Sequence, residues 1–246
     1  MRTHRSAAAL AAATLLLLTG AGIATAPAAW AGVPGGTRAD DRNHDFDGDG
    51  FDDVLAGAPG ATVGGKRGAG LVTVQYGSPD GIDTRAATIV SQDTTGVPGA
   101  AETGDSFGAA VATGDLDGDG YDDAVIGAPG EDVGAVADAG MVTVLRGTAR
   151  GLTGTGAASW TQDSPSVPGA VERDDRFGGQ VRLVDPDADG RFSLLAAAPG
   201  ENTADGHVWL FPAGTGGLTA AGSWSFGVSS FGGPYLDARY GSAIDE

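Results

Sequence analysis

Aspartates on alternate residues are the first feature of this chain with chemical content. Asp45, Asp47 and Asp49 run into Gly50, Phe51 and Asp53, and Asp115, Asp117 and Asp119 run into Gly120, Tyr121 and Asp123. The carboxylates hold positions 1, 3, 5 and 9 of each run, and Phe51 or Tyr121 at position 7 can add a backbone carbonyl. Calcium takes roughly six to eight oxygen ligands, and carboxylates on alternate residues of a tight turn converge as such a shell requires. A plain polar turn needs only one or two of them, and four packed this closely repel one another unless a cation neutralises them. The spacing predicts a calcium loop at both places. An EF-hand would carry Glu at the twelfth position, where Ala56 and Ile126 stand instead.

A third run keeps Asp185, Asp187 and Asp189, but Arg191 stands at position 7 and Ser193 replaces the ninth-position aspartate. It is expected to bind more weakly or to stay empty. The predicted role of the ion is structural. At millimolar calcium, a site with a dissociation constant of about 10⁻⁴ M stabilises a fold by about 1.4 kcal/mol.

Other chemistries find less support. Gly104-Asp105-Ser106-Phe107-Gly108 has the spacing of a hydrolase nucleophile elbow, which needs a strand, a strained turn and a helix. The matching positions 70 residues later read Asp174-Asp175-Arg176-Phe177-Gly178, so the serine is not part of what repeats. His44 and His207 read as bland, and Glu131-Asp132 as solvated loop charge. No catalytic residue is expected. The chain has no cysteine, which excludes disulfides, thiolate metal sites and thiol nucleophiles. A net charge of −18 disfavours nucleic acid and anionic membrane surfaces.

The elements that must position these loops come from a repeat. The aspartate runs start at Asp45, Asp115 and Asp185, and Phe107-Gly108 with Phe177-Gly178, Val97-Pro98-Gly99 with Val167-Pro168-Gly169 and Gln92-Asp93 with Gln162-Asp163 keep the same spacing. A fixed period marks stacked units that bury their faces only against their neighbours. Within each unit the pattern is β. Strands are predicted over 71–74, 141–144 and 207–210, after the aspartate loops over 51–56, 121–126 and 191–196, from Phe107 and Phe177, and as outer strands near 88–91, 159–161 and 223–225. The fold class is therefore all-β, with propeller-type blades of four antiparallel strands in three repeats of about 70 residues.

Phe-Gly, then the aspartate loop, then Gly127-Ala128-Pro129, then Gly140-Met141-Val142-Thr143-Val144 resembles an FG-GAP repeat, the blade of integrin α-chain β-propellers and their bacterial relatives. The resemblance covers nearly all of 45–246. It implies a calcium ion in the hairpin between the first two strands of each blade, and ligand recognition by loops on the opposite rim. Blade one is expected over 45–106, blade two over 107–176 and blade three over 177–239. A closing strand is expected over 240–246, because Tyr240-Gly241-Ser242-Ala243-Ile244 resembles Phe177-Gly178-Gly179-Gln180-Val181. Blade one lacks its own Phe-Gly strand. Closure within the chain, a homodimer formed by strand exchange, and a fragment of a longer propeller all stay open.

Residues 1–31 read as a signal peptide, with Arg2 and Arg5 before an apolar run and Ala29-Trp30-Ala31 as the cleavage site; 32–44 read as a linker. The continuous apolar stretch falls short of the ~20 residues needed to span a bilayer, so no membrane insertion is expected after cleavage. The expectation is a secreted, calcium-binding module that binds an extracellular protein or glycan through loops 61–68, 131–139 and 202–206. An extracellular hydrolase built on a propeller scaffold, or a fragment without a ligand, is the alternative.

Overall fold

The computed structural model describes residues 44–85 and 87–244. The expected signal peptide and most of the linker lie outside them. Three antiparallel sheets carry the fold. The first is β1 (Val54–Ala58), β2 (Leu71–Gln75) and β3 (Thr88–Val90), in that order. The second holds β4 (Ala110–Gly114), β5 (Asp123–Ala128), β6 (Met141–Arg146) and β7 (Thr153–Trp160), each paired to the next. The third runs β8 (Gln180–Val184), β9 (Ser193–Ala198), β10 (His207–Phe211) and β13 (Trp224–Phe226). A two-stranded hairpin, β11 (Ala213–Gly214) and β12 (Gly217–Leu218), is inserted before the last strand. These sheets are the three blades, four-stranded in the second and third and three-stranded in the first.

The strands that follow the aspartate loops start two or three residues later than the sequence suggests, at Val54, Asp123 and Ser193. Each run continues to the alanine before Pro59, Pro129 or Pro199, and proline, having no N–H, ends the ladder. Phe107 and Phe177 precede their strands rather than starting them. Each forms an isolated parallel bridge, to Gly70 and to Gly140 of the preceding blade. The outer strand β7 is longer than expected, with its register shifting between Val144 and Arg146.

The core lies between the blades. Successive side chains of a strand point to opposite faces, so β5 serves two clusters. Ala124 and Ile126 pack with Phe46, Val72, Val74, Val90 and Phe107 against blade one. Val125 joins Phe177, Leu194, Ala196, Trp209 and Phe211 against blade three. That explains why the run reads as continuously apolar. Phe177 meets Trp209 edge-on at 5.4 Å, and the indole N–H donates to Pro168 O at 2.8 Å.

The Phe-Gly and Gly-Ala-Pro motifs recur together for a steric reason. Gly108 N–H donates to Gly127 O of its own blade at 3.0 Å, while Gly108 O lies where a Cβ on Gly57 would sit, 2.0 Å away. At the next interface a Cβ on Gly127 would come within 1.9 Å of Gly178 O. Glycine is what lets one backbone pass this close to the other.

The closing strand is a correction. Tyr240 N–H donates to Asp205 O at 2.9 Å, as Phe107 N–H does to Ala69 O and Phe177 N–H to Ala139 O. The segment therefore docks on blade three in the Phe-Gly position. Residues 240–244 are nevertheless turn and coil, not strand, because among the described residues no next blade offers a ladder to pair with. Residues 245–246 lie outside the described part.

Candidate metal centres

Each aspartate loop joins the innermost strand of a blade to the next, or precedes β1 in blade one. Its shape comes from the first aspartate. Asp45 Oδ1 accepts from Gly48 N at 2.7 Å and Asp49 N at 3.1 Å, and Oδ2 from Gly50 N at 2.9 Å. Loop two repeats this, Asp115 accepting from Gly118, Asp119 and Gly120 at 2.7, 3.2 and 3.0 Å. Gly48, Gly50, Gly118 and Gly120 all have positive φ, between 74° and 91°, which glycine reaches at little cost. In loop three Ala188 must adopt φ 58° where the others have glycine.

Folded in this way, each loop brings three carboxylates together. Asp45, Asp47 and Asp49 each offer an oxygen within 4.8 Å of the others, as do Asp115, Asp117 and Asp119, and Asp185, Asp187 and Asp189. An all-oxygen, anionic donor set on a tight turn suits a hard divalent cation, and calcium above all. Burial and, after it, mutual repulsion shift two of these carboxyls upward. Asp47 is raised above the usual carboxylate range by burial and then by Asp49, and Asp119 by burial and then by Asp117 and Asp115.

The ninth-position aspartates stand apart from these triplets. Asp53 is buried, with Oδ2 accepting from Phe46 N and Oδ1 from Gly77 N, both at 2.8 Å. Asp123 is also buried; Oδ1 accepts from Gly147 N at 2.9 Å, and burial pushes its carboxyl up to about 7. Both fasten the loop to the strand beyond it, and each oxygen keeps a second lone pair for a cation. At position 7, the Tyr121 ring packs over loop one, where a Cβ on Gly48 would be 2.5 Å from Tyr121 Cε1. Phe51 is partly exposed. In loop three the Ser193 hydroxyl is turned to Ala213 N, 3.3 Å away, and Arg191 is exposed.

Two features escaped the sequence reading. Arg146 enters loop two, with Nη1 3.0 Å from Asp117 Oδ2 and 2.9 Å from Asp123 Oδ2; it has no counterpart one repeat away, so periodicity could not reveal it. The other is an inter-blade pair. Gln92 Nε2 donates to Glu131 Oε2 at 2.6 Å, and Gln162 Nε2 to Glu201 Oε2. Glu131 is thus not a solvated loop charge. Burial raises both glutamates to about 7, and burial raises Asp175 beside Glu201 to about 6. The fixed spacing of Gln92 and Gln162 was the available signal.

The hydrolase elbow is absent. Ser106 has φ 60°, its hydroxyl donates to Gly104 O at 3.0 Å, and a strand follows at Ala110. Loops 61–68 and 131–139 are hairpins closed by Val63–Lys66 and Val133–Val136 bridges. Antiparallel connectivity puts them at the end of each blade opposite its aspartate loop. Loop 202–206 begins in a turn with Asn202 and Thr203 at φ 53° and 64°.

Comparison with known proteins agrees with this geometry. The FG-GAP repeat family model matches residues 45–74 and 107–145. A phosphatidylinositol-glycan-specific phospholipase D from Dictyostelium discoideum is 30% identical over 181 residues, 70% of this chain and 19% of that protein. Integrin alpha-5 from Xenopus laevis is 37% identical over 89 residues, 36% of this chain and 8% of that protein. Integrin alpha-4 from the same species is 33% identical over 135 residues, 54% of this chain and 12% of that protein. The chain thus spans less than a fifth of the length of these relatives. No helix among the described residues is long and apolar enough to cross a membrane.

Proposed function

This chain is an FG-GAP repeat protein with an integrin-like β-propeller module, and from that premise we propose that it is a secreted, calcium-stabilised recognition module with no catalysis of its own. The observation that carries the calcium reading is the convergence of three carboxylates in each loop. Asp45, Asp47, Asp49 and Asp53 would hold one ion, and Asp115, Asp117, Asp119 and Asp123 another, with Phe51 and Tyr121 adding carbonyls. The ion would neutralise the crowded carboxylates and so tie each loop to the hairpin it begins.

Recognition is assigned to the opposite rim, to loops 61–68, 131–139 and 202–206, with an extracellular protein or glycan as partner. The integrin relatives support this reading. Binding to matrix-protein and glycan arrays tests it: retained binding after loop 131–139 is replaced by a short glycine-serine linker would remove that loop from the site.

The phospholipase D relative favours a second reading, a propeller accompanying a hydrolase. Hydrolysis by the purified chain, lost in Ser106→Ala, would establish it. Strand exchange between two copies is a further part of the proposal. It is supported by the edge of β1, unpaired among the described residues, and by Tyr240 docked where a Phe-Gly strand begins, and a monomeric mass in solution would exclude it.

A further inference from the structure

Loops one and two share their ligand spacing and their internal hydrogen bonds, yet differ in the neighbour that meets positions 3 and 9. Arg146, the last residue of β6, turns its guanidinium into loop two and spans positions 3 and 9 of the calcium pattern, Nη1 lying 3.0 Å from Asp117 Oδ2 and 2.9 Å from Asp123 Oδ2. Its other nitrogen, Nη2, donates to Gly216 O at 3.0 Å. Gly216 sits in the β11–β12 hairpin, inserted in blade three. A Cβ on the adjacent Gly217 would lie 2.9 Å from Nη2, so that glycine leaves the space the guanidinium needs. Loop one is built otherwise. One repeat before Arg146 stands Tyr76, whose hydroxyl accepts from Leu152 N at 3.1 Å, and Asp53 Oδ2 takes a backbone N–H where Asp123 Oδ2 takes the arginine.

A guanidinium forms strong charge-assisted bonds to carboxylates, and a calcium ion entering beside it would meet a like charge at contact distance. We propose that Arg146 is the built-in counter-cation of loop two, which has to be drawn off Asp117 and Asp123 before calcium takes them. Loop one is then the tighter calcium site and loop two the weaker, despite their near-identical sequences. The Gly216 carbonyl, which already accepts from Nη2, keeps the displaced arginine close to the loop. The inference rests on the calcium reading.

Calcium titration by calorimetry tests it, in the full chain with Asp187→Asn present throughout. Asp117→Asn/Asp119→Asn leaves loop one, and Asp47→Asn/Asp49→Asn leaves loop two. Loop two is expected to bind at least tenfold more weakly than loop one, a ratio measured with Arg146 intact. In the loop-two background, Arg146→Gln is expected to tighten calcium at least tenfold, and Arg146→Lys to leave it within about threefold of the parent. Circular dichroism confirms that these variants are folded. Equal affinity of the two loops, or a loop two that binds no better in Arg146→Gln, overturns the proposal while leaving calcium at loop one intact. No binding in either background overturns the calcium reading, and the proposal with it.

Discussion

Strands β1 and β5 hold the same place one repeat apart, Val54-Leu55-Ala56-Gly57-Ala58 against Ala124-Val125-Ile126-Gly127-Ala128, both apolar and ending in Gly-Ala, and the fold treats them differently. Every residue of β5 is buried, whereas Val54 is 45% exposed and Ala56 and Gly57 are open to solvent. The difference is the neighbour. Strand β4 lies along β5, while β1 begins its sheet and has no strand on its other edge among the described residues. The burial of a strand is therefore set by the strand beside it in its own sheet as well as by the blade packed on its face.

The largest effect should come from breaking a closed interface. Phe177 is fully buried against Trp209 and Phe211, and Phe177→Ala should cost about 3–5 kcal/mol, read as a fall in the midpoint of thermal unfolding. Tyr240→Ala, at the same motif position but only half-buried, should cost less than half as much. A similar midpoint for the two variants would mean that the end of the stack is as closed as its middle.

Within these equivalent strands, Ile126→Ala should cost about 2–5 kcal/mol and Val54→Ala no more than about 0.5 kcal/mol. Urea denaturation measures both. Comparable losses would show that β1 is covered in solution, as strand exchange requires.

The inter-blade glutamates sharpen the comparison through pH, since Ala61 of blade one stands where Glu131 and Glu201 stand in the others. Burial raises these two to about 7 and Asp175 to about 6, above their unfolded values, so the folded state holds protons that the unfolded chain has released. Their stabilisation is fully present below about pH 4 and is lost as pH rises through 6 to 7. In chelator, stability should fall between pH 5 and pH 8 by about 2 kcal/mol after allowance for solvent screening. Glu131→Gln/Glu201→Gln should flatten that slope, and an unchanged slope would assign it elsewhere.

The smallest effect belongs to the metal. Moving from millimolar calcium to chelator should cost about 1.4 kcal/mol at loop one, for a dissociation constant of about 10⁻⁴ M, and less than about 0.5 kcal/mol at a loop two that binds tenfold more weakly, a shift of a few degrees. Asp49→Asn should remove more of that shift than Asp187→Asn, because loop three lacks the ninth carboxylate and forces Ala188 to a positive φ.

Most of the architecture was legible because the repeat encodes it twice over. The 70-residue period, the alternation of Val72 and Val74 and the prolines after β1, β5 and β9 fix blades, faces and strand ends from local chemistry alone. The glycines of the first two loops likewise announce the turns that gather their carboxylates. What was not legible lies in contacts between segments far apart in the chain, within a blade as well as between blades. Arg146 meets Asp117 across 29 residues, Gln92 meets Glu131 across 39, and Tyr240 docks on blade three without becoming a strand.

By itself, then, the sequence determined the unit: four short strands, an aspartate turn, a Phe-Gly crossing over a Gly-Ala-Pro strand. Those depend on φ preferences, side-chain period and ligand spacing, all of which act within a few residues. Only the tertiary structure decided which strand is buried, which carboxylates hold protons and which loop carries its own cation. Burial and charge balance are set by whatever packs alongside, whether another strand of the same sheet, as β4 is to β5, or a segment of the next blade, as Glu131 is to Gln92.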